Sequence, residues 1–170
     1  MRRALVTALV LLAAGCAIHT AASAPTPAVG DASRVNMCTI LTDTELTGLN
    51  LDPTSRKNES MLGEVGCGWE GKVFTLHLAR GQDTVAQYRA RRDDPAFTSF
   101  ADNTVNGRAG ARLSVDNDRS DCTQLIDGGA VGLVVSVAPA GLYAGPPINT
   151  CAEAMRIAQM IEPRLPKSGS

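Results

Sequence analysis

Aromatic residues are scarce: one Trp, two Tyr and three Phe make up 4% of the 170 residues. That leaves little material for the aromatic platforms on which bases stack or for aromatic-lined carbohydrate surfaces. Histidine is nearly missing, with two in the chain. An excess of charge is missing too, since 16 basic residues face 17 acidic ones and the formal net charge is -1. Nucleic-acid binders carry a basic excess, so no nucleic-acid partner is expected. An acidic, solvating chain is excluded on the same count. No uncharged apolar run reaches the roughly 20 residues that a spanning helix needs. There is no Cys-x-x-Cys pair, and neither His stands near a Cys at ligand spacing. A zinc site and a redox-active dithiol are therefore not expected, and no motif implies a cofactor. What is present is a hydrophobic fraction of 44%, ordinary for a globular domain.

The chain opens with Met1, Arg2 and Arg3, followed by an uncharged apolar run over residues 4–14 and then Gly15 and Cys16. Charge, apolar run and small residues in that order have the layout of a secretory signal. Leu12-Ala13-Ala14-Gly15-Cys16 resembles a bacterial lipobox, with Ala13 where Leu is the commonest choice. The resemblance implies a leader over residues 1–15, a diacylglycerol on the Cys16 thiol, and Cys16 as the new N-terminus. Two or three acyl chains hold a protein firmly at a bilayer, whereas one binds marginally. Ordinary secretion with cleavage after Ala22-Ser23-Ala24 is the alternative. Residues 16–34 read as the lipidated Cys and a tether rich in Ala, Ser, Thr and Pro, with a reach of roughly 20–25 Å. His19 lies in this stretch and is assigned no role.

With Cys16 assigned to lipid, Cys38, Cys67, Cys122 and Cys151 remain, an even number in an exported chain. That reads as a disulfide framework. Four cysteines allow three pairings, and spacing alone does not select one. The pairing adopted as the expectation is Cys38–Cys67 with Cys122–Cys151, each joining the start of a helix to a nearby strand.

A single domain is expected over residues 35–163, with a tail at 164–170. Thr42 and Glu45 have capping-box spacing, so a short helix begins there and stops near Gly48. Residues 52–64 are polar and turn-rich and read as a loop. Residues 65–80 read as a hairpin turning at Gly71-Lys72, because Phe74, Leu76 and Leu78 alternate with Thr75 and His77. Trp69 should anchor the core. A helix is expected over residues 83–93, a loop over 96–103, and a second hairpin around Gly107-Arg108. A third hairpin pairs residues 122–126 with 130–138. Thr150 and Glu153 repeat the capping-box spacing and start a helix that Pro163 stops. Its apolar set is Ala152, Met155, Ala158, Met160 and Ile161. Hairpins with a few helices make an α+β fold, a mainly antiparallel sheet with helices packed on one face.

The order of short motifs is similar to that of actinobacterial lipoproteins built on a domain of unknown function. The motifs are Cys38-Thr39-Ile40-Leu41-Thr42 with Glu45-Leu46, then Cys67-Gly68-Trp69, then Cys151-Ala152-Glu153-Ala154. The likeness runs over about residues 37–161. It implies an envelope lipoprotein with two bridges and transfers no catalytic residue.

The search for chemistry yields little. His77 falls on the outward phase of its strand and reads as a partly exposed strand residue. Ser114, Ser120 and Ser136 lack a Gly-x-Ser-x-Gly setting. Asp116, Asp118 and Asp121 suggest a calcium loop, but the sixth and twelfth positions hold Asp121 and Asp127 where Gly and Glu belong. Arg89, Arg91 and Arg92, with Arg80, form a basic cluster. It reads as a solvated face balanced by Asp93 and Asp94, or else as a contact for anionic lipid heads or an acidic wall polymer. Residues 139–149 form the candidate binding loop, with Leu142, Tyr143 and Ile148 lining a pocket or packing on the core.

These readings describe a noncatalytic module anchored to the outer leaflet of the cytoplasmic membrane. Its expected partners are the bilayer, through acylated Cys16, and a small apolar ligand or an envelope protein. The alternatives are an accessory subunit of an envelope complex and a wall or lipid hydrolase. A binding module predicts an apolar concavity near residues 139–149, and a subunit predicts an exposed apolar patch. A hydrolase predicts His77 or paired carboxylates converging in a cleft.

Overall fold

The computed structural model describes residues 30–61, 63–115, 121–141 and 143–167. The expected leader, Cys16, most of the expected tether, Leu142, Asp116, Asp118 and Ser120 lie outside these residues.

Seven strands form one antiparallel sheet: β1 Lys57–Met61, β2 Glu64–Glu70, β3 Phe74–Arg80, β4 Ser99–Val105, β5 Arg108–Ser114, β6 Cys122–Asp127 and β7 Gly132–Pro139. Their order is β1-β2-β3-β7-β6-β5-β4. Two meanders, β1 to β3 and β4 to β7, meet where β3 pairs with β7. The β4–β5 turn is Asn106-Gly107, with φ of 49° and 88°. Both residues tolerate the left-handed region, and such a two-residue turn matches the twist of its flanking strands.

The helices are α1 Asp43–Gly48, α2 Val85–Ala90 and α3 Thr150–Ile161. Period two divides each strand between two faces. Leu76 and Leu78 of β3, Ile126 of β6 and Val135 and Val137 of β7 enter the main core. Leu41, Leu46 and Leu49, around α1, and Ala154, Ile157, Ala158 and Ile161 of α3 cover that face. Trp69 and Cys67 stand two residues apart in this core, as the sequence suggests for the Trp. Both bridges are the expected ones. Cys38–Cys67 has a Cα–Cα distance of 5.1 Å and Cys122–Cys151 one of 5.0 Å. The first ties the segment before α1 to β2, the second the first turn of α3 to β6.

The α+β architecture with one antiparallel sheet and two disulfides is as expected, and several details differ. Residues 52–64 are not all loop, because they contain β1. Residues 96–103 likewise contain the start of β4. Both are edge strands, which carry polar residues and lack clean apolar alternation because only one flank is paired. The last helix is capped by Asn149, whose side chain accepts the Ala152 N–H at 3.0 Å, and Thr150 is already helical. Its buried stripe is Ala154, Ile157, Ala158 and Ile161, while Ala152 is exposed. Ala, Met and Ile surround this helix, so several phases were open, and the bridge at Cys151 chooses among them.

Helix α2 is shorter than expected, and Thr84 with Gln87 forms its capping box. It lies on the other face of the sheet, mainly over β5 and β6. Val85 packs there with Ala79, Ala111, Leu113, Leu125 and Val134, and Tyr88, Phe97 and Phe100 border this second cluster. The β1–β2–β3 side of that face carries polar side chains instead.

Candidate functional site: a polar cleft on the sheet

Register brings five residues into one row across the sheet. Lys57 pairs with Gly68, Gly68 with His77, His77 with Ser136, and Ser136 with Thr123. Paired residues point to the same face, so this row forms a continuous strip. Gly68 has no side chain and makes the floor. The Glu59 carboxylate crosses that gap: a Cβ on Gly68 would meet Glu59 Oε1 at 2.5 Å. Glu59 Oε2 then lies 3.4 Å from His77 Nε2. Thr123 donates its hydroxyl proton to Ser136 Oγ at 3.1 Å. Lys57 pairs with Glu70 beside them, and that carboxylate raises the Lys57 pKa.

The strip forms a cleft of about 260 Å³. Ser55, Lys57, Glu59, Glu70, Thr75, His77 and Ser136 supply its polar lining. Near His77, the Tyr88 hydroxyl donates to Glu64 Oε1 at 3.4 Å. Burial raises the Glu64 pKa, against the opposing influence of His77 and of that hydrogen bond. Burial, followed by the charges of Glu64 and Asp83, pushes Tyr88 up to about 12. The Arg91 guanidinium lies 5.3 Å over the Tyr88 ring.

Ser136, His77 and Glu59 are the residue types of a nucleophile, a base and an orienting acid, and they come from adjacent or near-adjacent strands. The contact between nucleophile and base is missing: Ser136 bonds to Thr123, and no hydrogen bond joins it to His77. The backbone around Ser136 is committed to β3 and β6 on its two sides, which leaves no pair of N–H groups aimed at a developing oxyanion. The geometry is suited to holding a hydroxyl- or amide-bearing ligand by hydrogen bonds to the carboxylates, the Lys57 ammonium, the His77 imidazole and the hydroxyls.

The other residues named from the sequence are dispersed. Tyr143 turns back over Gly145, and its N–H donates to Ala140 O at 2.9 Å. Ile148 packs against the main core. Of the calcium-loop residues Asp121 alone is described, and no group of three or more metal-ligating side chains occurs among the described residues. Ser114 Oγ donates to Asp121 O at 3.1 Å. The arginine cluster separates: Arg89 pairs with Asp102 at 2.7 Å, Arg91 pairs with Asp83, and Arg80 donates to Ser33 O. His77 is on the outward face as expected, with its side chain 21% exposed. Glu59 and Ser136 were not linked to it from the sequence, because the link exists only through strand register.

The family described as protein of unknown function (DUF3558) matches residues 11–164. The chain belongs to this family. No curated protein and no solved structure matches it. In this DUF3558 protein the match takes in all five cysteines, Cys16 included. Among the described residues of the DUF3558 fold, no helix is long and apolar enough to cross a membrane.

Proposed function

We propose that the protein is an extracytoplasmic, actinobacterial-type lipoprotein, held by acylated Cys16 at the outer leaflet of the cytoplasmic membrane. Its domain binds a small polar ligand in the sheet cleft without turning it over. The anchor reading rests on the leader layout and the lipobox-like run before Cys16. Two bridges that consume the other four cysteines fit an oxidising compartment outside the cytoplasm. The cleft carries the binding reading: Lys57 pairs with Glu70, the Glu59 carboxylate faces His77, and Ser136, Thr75 and Ser55 add hydroxyls. This lining suits a polar ligand rather than the apolar one expected near residues 139–149.

The test is native mass spectrometry of the protein extracted mildly from its own membranes. A retained polar molecule that is lost in Glu59→Gln/His77→Asn, together with an acylated start at Cys16, supports the proposal. A chain starting at Pro25 overturns the anchor. A retained molecule indifferent to the double substitution overturns the cleft.

A second reading, hydrolysis, draws on the shared strip of Ser136, His77 and Glu59. It requires turnover of an ester or amide that disappears in both Ser136→Ala and His77→Asn.

A further inference from the structure

Arg34 and Arg80 come from distant parts of the chain and line one groove on the main-core side of the sheet. The groove has a volume of about 230 Å³, and its other lining residues are Val35, Asn36, Met37, Cys38, Val65 and Gly66. None of these is acidic. The Arg80 guanidinium is fixed by donation to Ser33 O, next to Arg34 in sequence. Its remaining N–H groups have no carboxylate partner among the described residues. Arg34 is exposed; Asp31 feels its charge but makes its hydrogen bonds to the Ser33 N–H and hydroxyl instead. Val65 stands directly opposite Arg80 in the β2–β3 register. It is 55% exposed, one of two large hydrophobic residues so exposed among those described. Two cations that form no salt bridge among the described residues, beside an exposed aliphatic side chain, fit the boundary between headgroups and acyl chains. An arginine fork is suited to phosphate oxygens.

Position along the chain supplies the second argument. The described fold begins at Gly30, four residues before Arg34. The stretch between Cys16 and Gly30 spans at most about 50 Å when fully extended. An anchor at Cys16 therefore confines this groove to within about 50 Å of the bilayer and lets it touch the surface, where a charged headgroup layer acts within a Debye length.

We propose that the Arg34–Arg80 groove is a docking site for anionic phospholipid headgroups and turns this face of the domain toward the membrane. The orientation rests on the anchor reading above; the headgroup affinity of the groove does not. Of the basic cluster named from the sequence, Arg80 belongs to the groove, whereas Arg89 and Arg91 are paired with Asp102 and Asp83.

The test uses the chain from residue 16 onward with Cys16→Ser, which contains every described element and both bridges but no acyl group. Co-sedimentation is measured with vesicles of phosphatidylcholine alone and with vesicles containing 30% phosphatidylglycerol, a fraction of about one in three lipids. The expected result is salt-sensitive binding to the anionic vesicles only, reduced about tenfold or more in Arg34→Gln/Arg80→Gln. The matched control, Arg89→Gln/Arg92→Gln, removes the same charge and should change binding less than about twofold. Arg34→Gln alone alters an exposed side chain and serves as the variant with no risk to folding; it should lose about threefold or more. Equal losses in the two double variants reduce the effect to net charge and overturn the proposal. So does the absence of binding to anionic vesicles, or full competition by millimolar inorganic phosphate. Intact mass of the native protein reports acylation separately, so failure of the anchor and failure of the groove are distinguishable.

Discussion

Arg164 donates to the Glu45 carboxylate at 3.1 Å, joining residues 119 apart in sequence. Glu45 also accepts from the Thr42 N–H at 2.8 Å and from its hydroxyl at 2.8 Å, closing the cap of α1. One carboxylate thus finishes a local motif and ties it to the turn that follows α3. Arg164 first, and then the Thr42 hydrogen bonds, hold Glu45 down to about 2.

Because the folded value is depressed, this contribution to stability is present above the unfolded value near 4.5 and is lost as pH falls through about 2. Glu45→Gln should flatten the dependence of the urea midpoint on pH between those limits. Thr42→Ala should cost about 1 kcal/mol near neutral pH. An unchanged acid slope in Glu45→Gln would show that the ion pair contributes nothing in solution.

Glu64 has the opposite sign. Burial raises its folded pKa, so its favourable contribution is complete below the unfolded value and is lost as pH rises through the folded one. Glu64→Gln keeps an acceptor for the Tyr88 hydroxyl and removes the buried charge. The variant should gain stability relative to the parent at pH 8 and lose that advantage at pH 3.5, as read by urea midpoints at the two values.

Arg108 is held among buried acceptors. It donates to Glu162 Oε1 at 2.9 Å, to Asp127 O at 3.1 Å and to Pro166 O at 2.9 Å. The Arg108 and Glu162 side chains are 6% and 11% exposed. Arg108→Met should cost about 3–5 kcal/mol, because it strands a buried carboxylate. Arg108→Met/Glu162→Met should cost less than Arg108→Met alone. Additive losses in that double-mutant cycle would argue against direct coupling.

Each disulfide closes a loop of sequence separation 29. Loop closure of that size corresponds to about 3–4 kcal/mol per bridge. Replacing either pair by serine should lower Tm by roughly 10 °C for a domain of this size. A chain insensitive to both reductant and replacement would show that the sheet alone suffices.

Elements with a local signal were readable in advance. The β2–β3 and β6–β7 hairpins announce themselves through period-two apolar residues, and α1 through the Thr42–Glu45 spacing. The edge strand β1 and the start of β4, before the hairpin expected at Gly107, were not readable. Lys57, Asn58, Glu59 and Ser60 have no apolar face, and they become a strand only because β2 offers its free edge.

The candidate site shows the same division more sharply. From the sequence, His77 was a solitary histidine on an outward phase. Its neighbours Glu59 and Ser136 lie on strands that meet β3 only indirectly or after a long excursion of the chain, so no spacing rule connects them.

Capping boxes, alternation and the even set of cysteines left once Cys16 is set apart act over a few residues or through composition, and the amino-acid order alone determined them. Tertiary structure alone decided which polar groups converge. The Glu59–His77–Ser136 strip, the Glu45–Arg164 tie and the Arg34–Arg80 groove each depend on strand register or on docking of distant segments. A one-residue slip in register turns a side chain to the opposite face, so these meetings have no signature until the sheet is assembled.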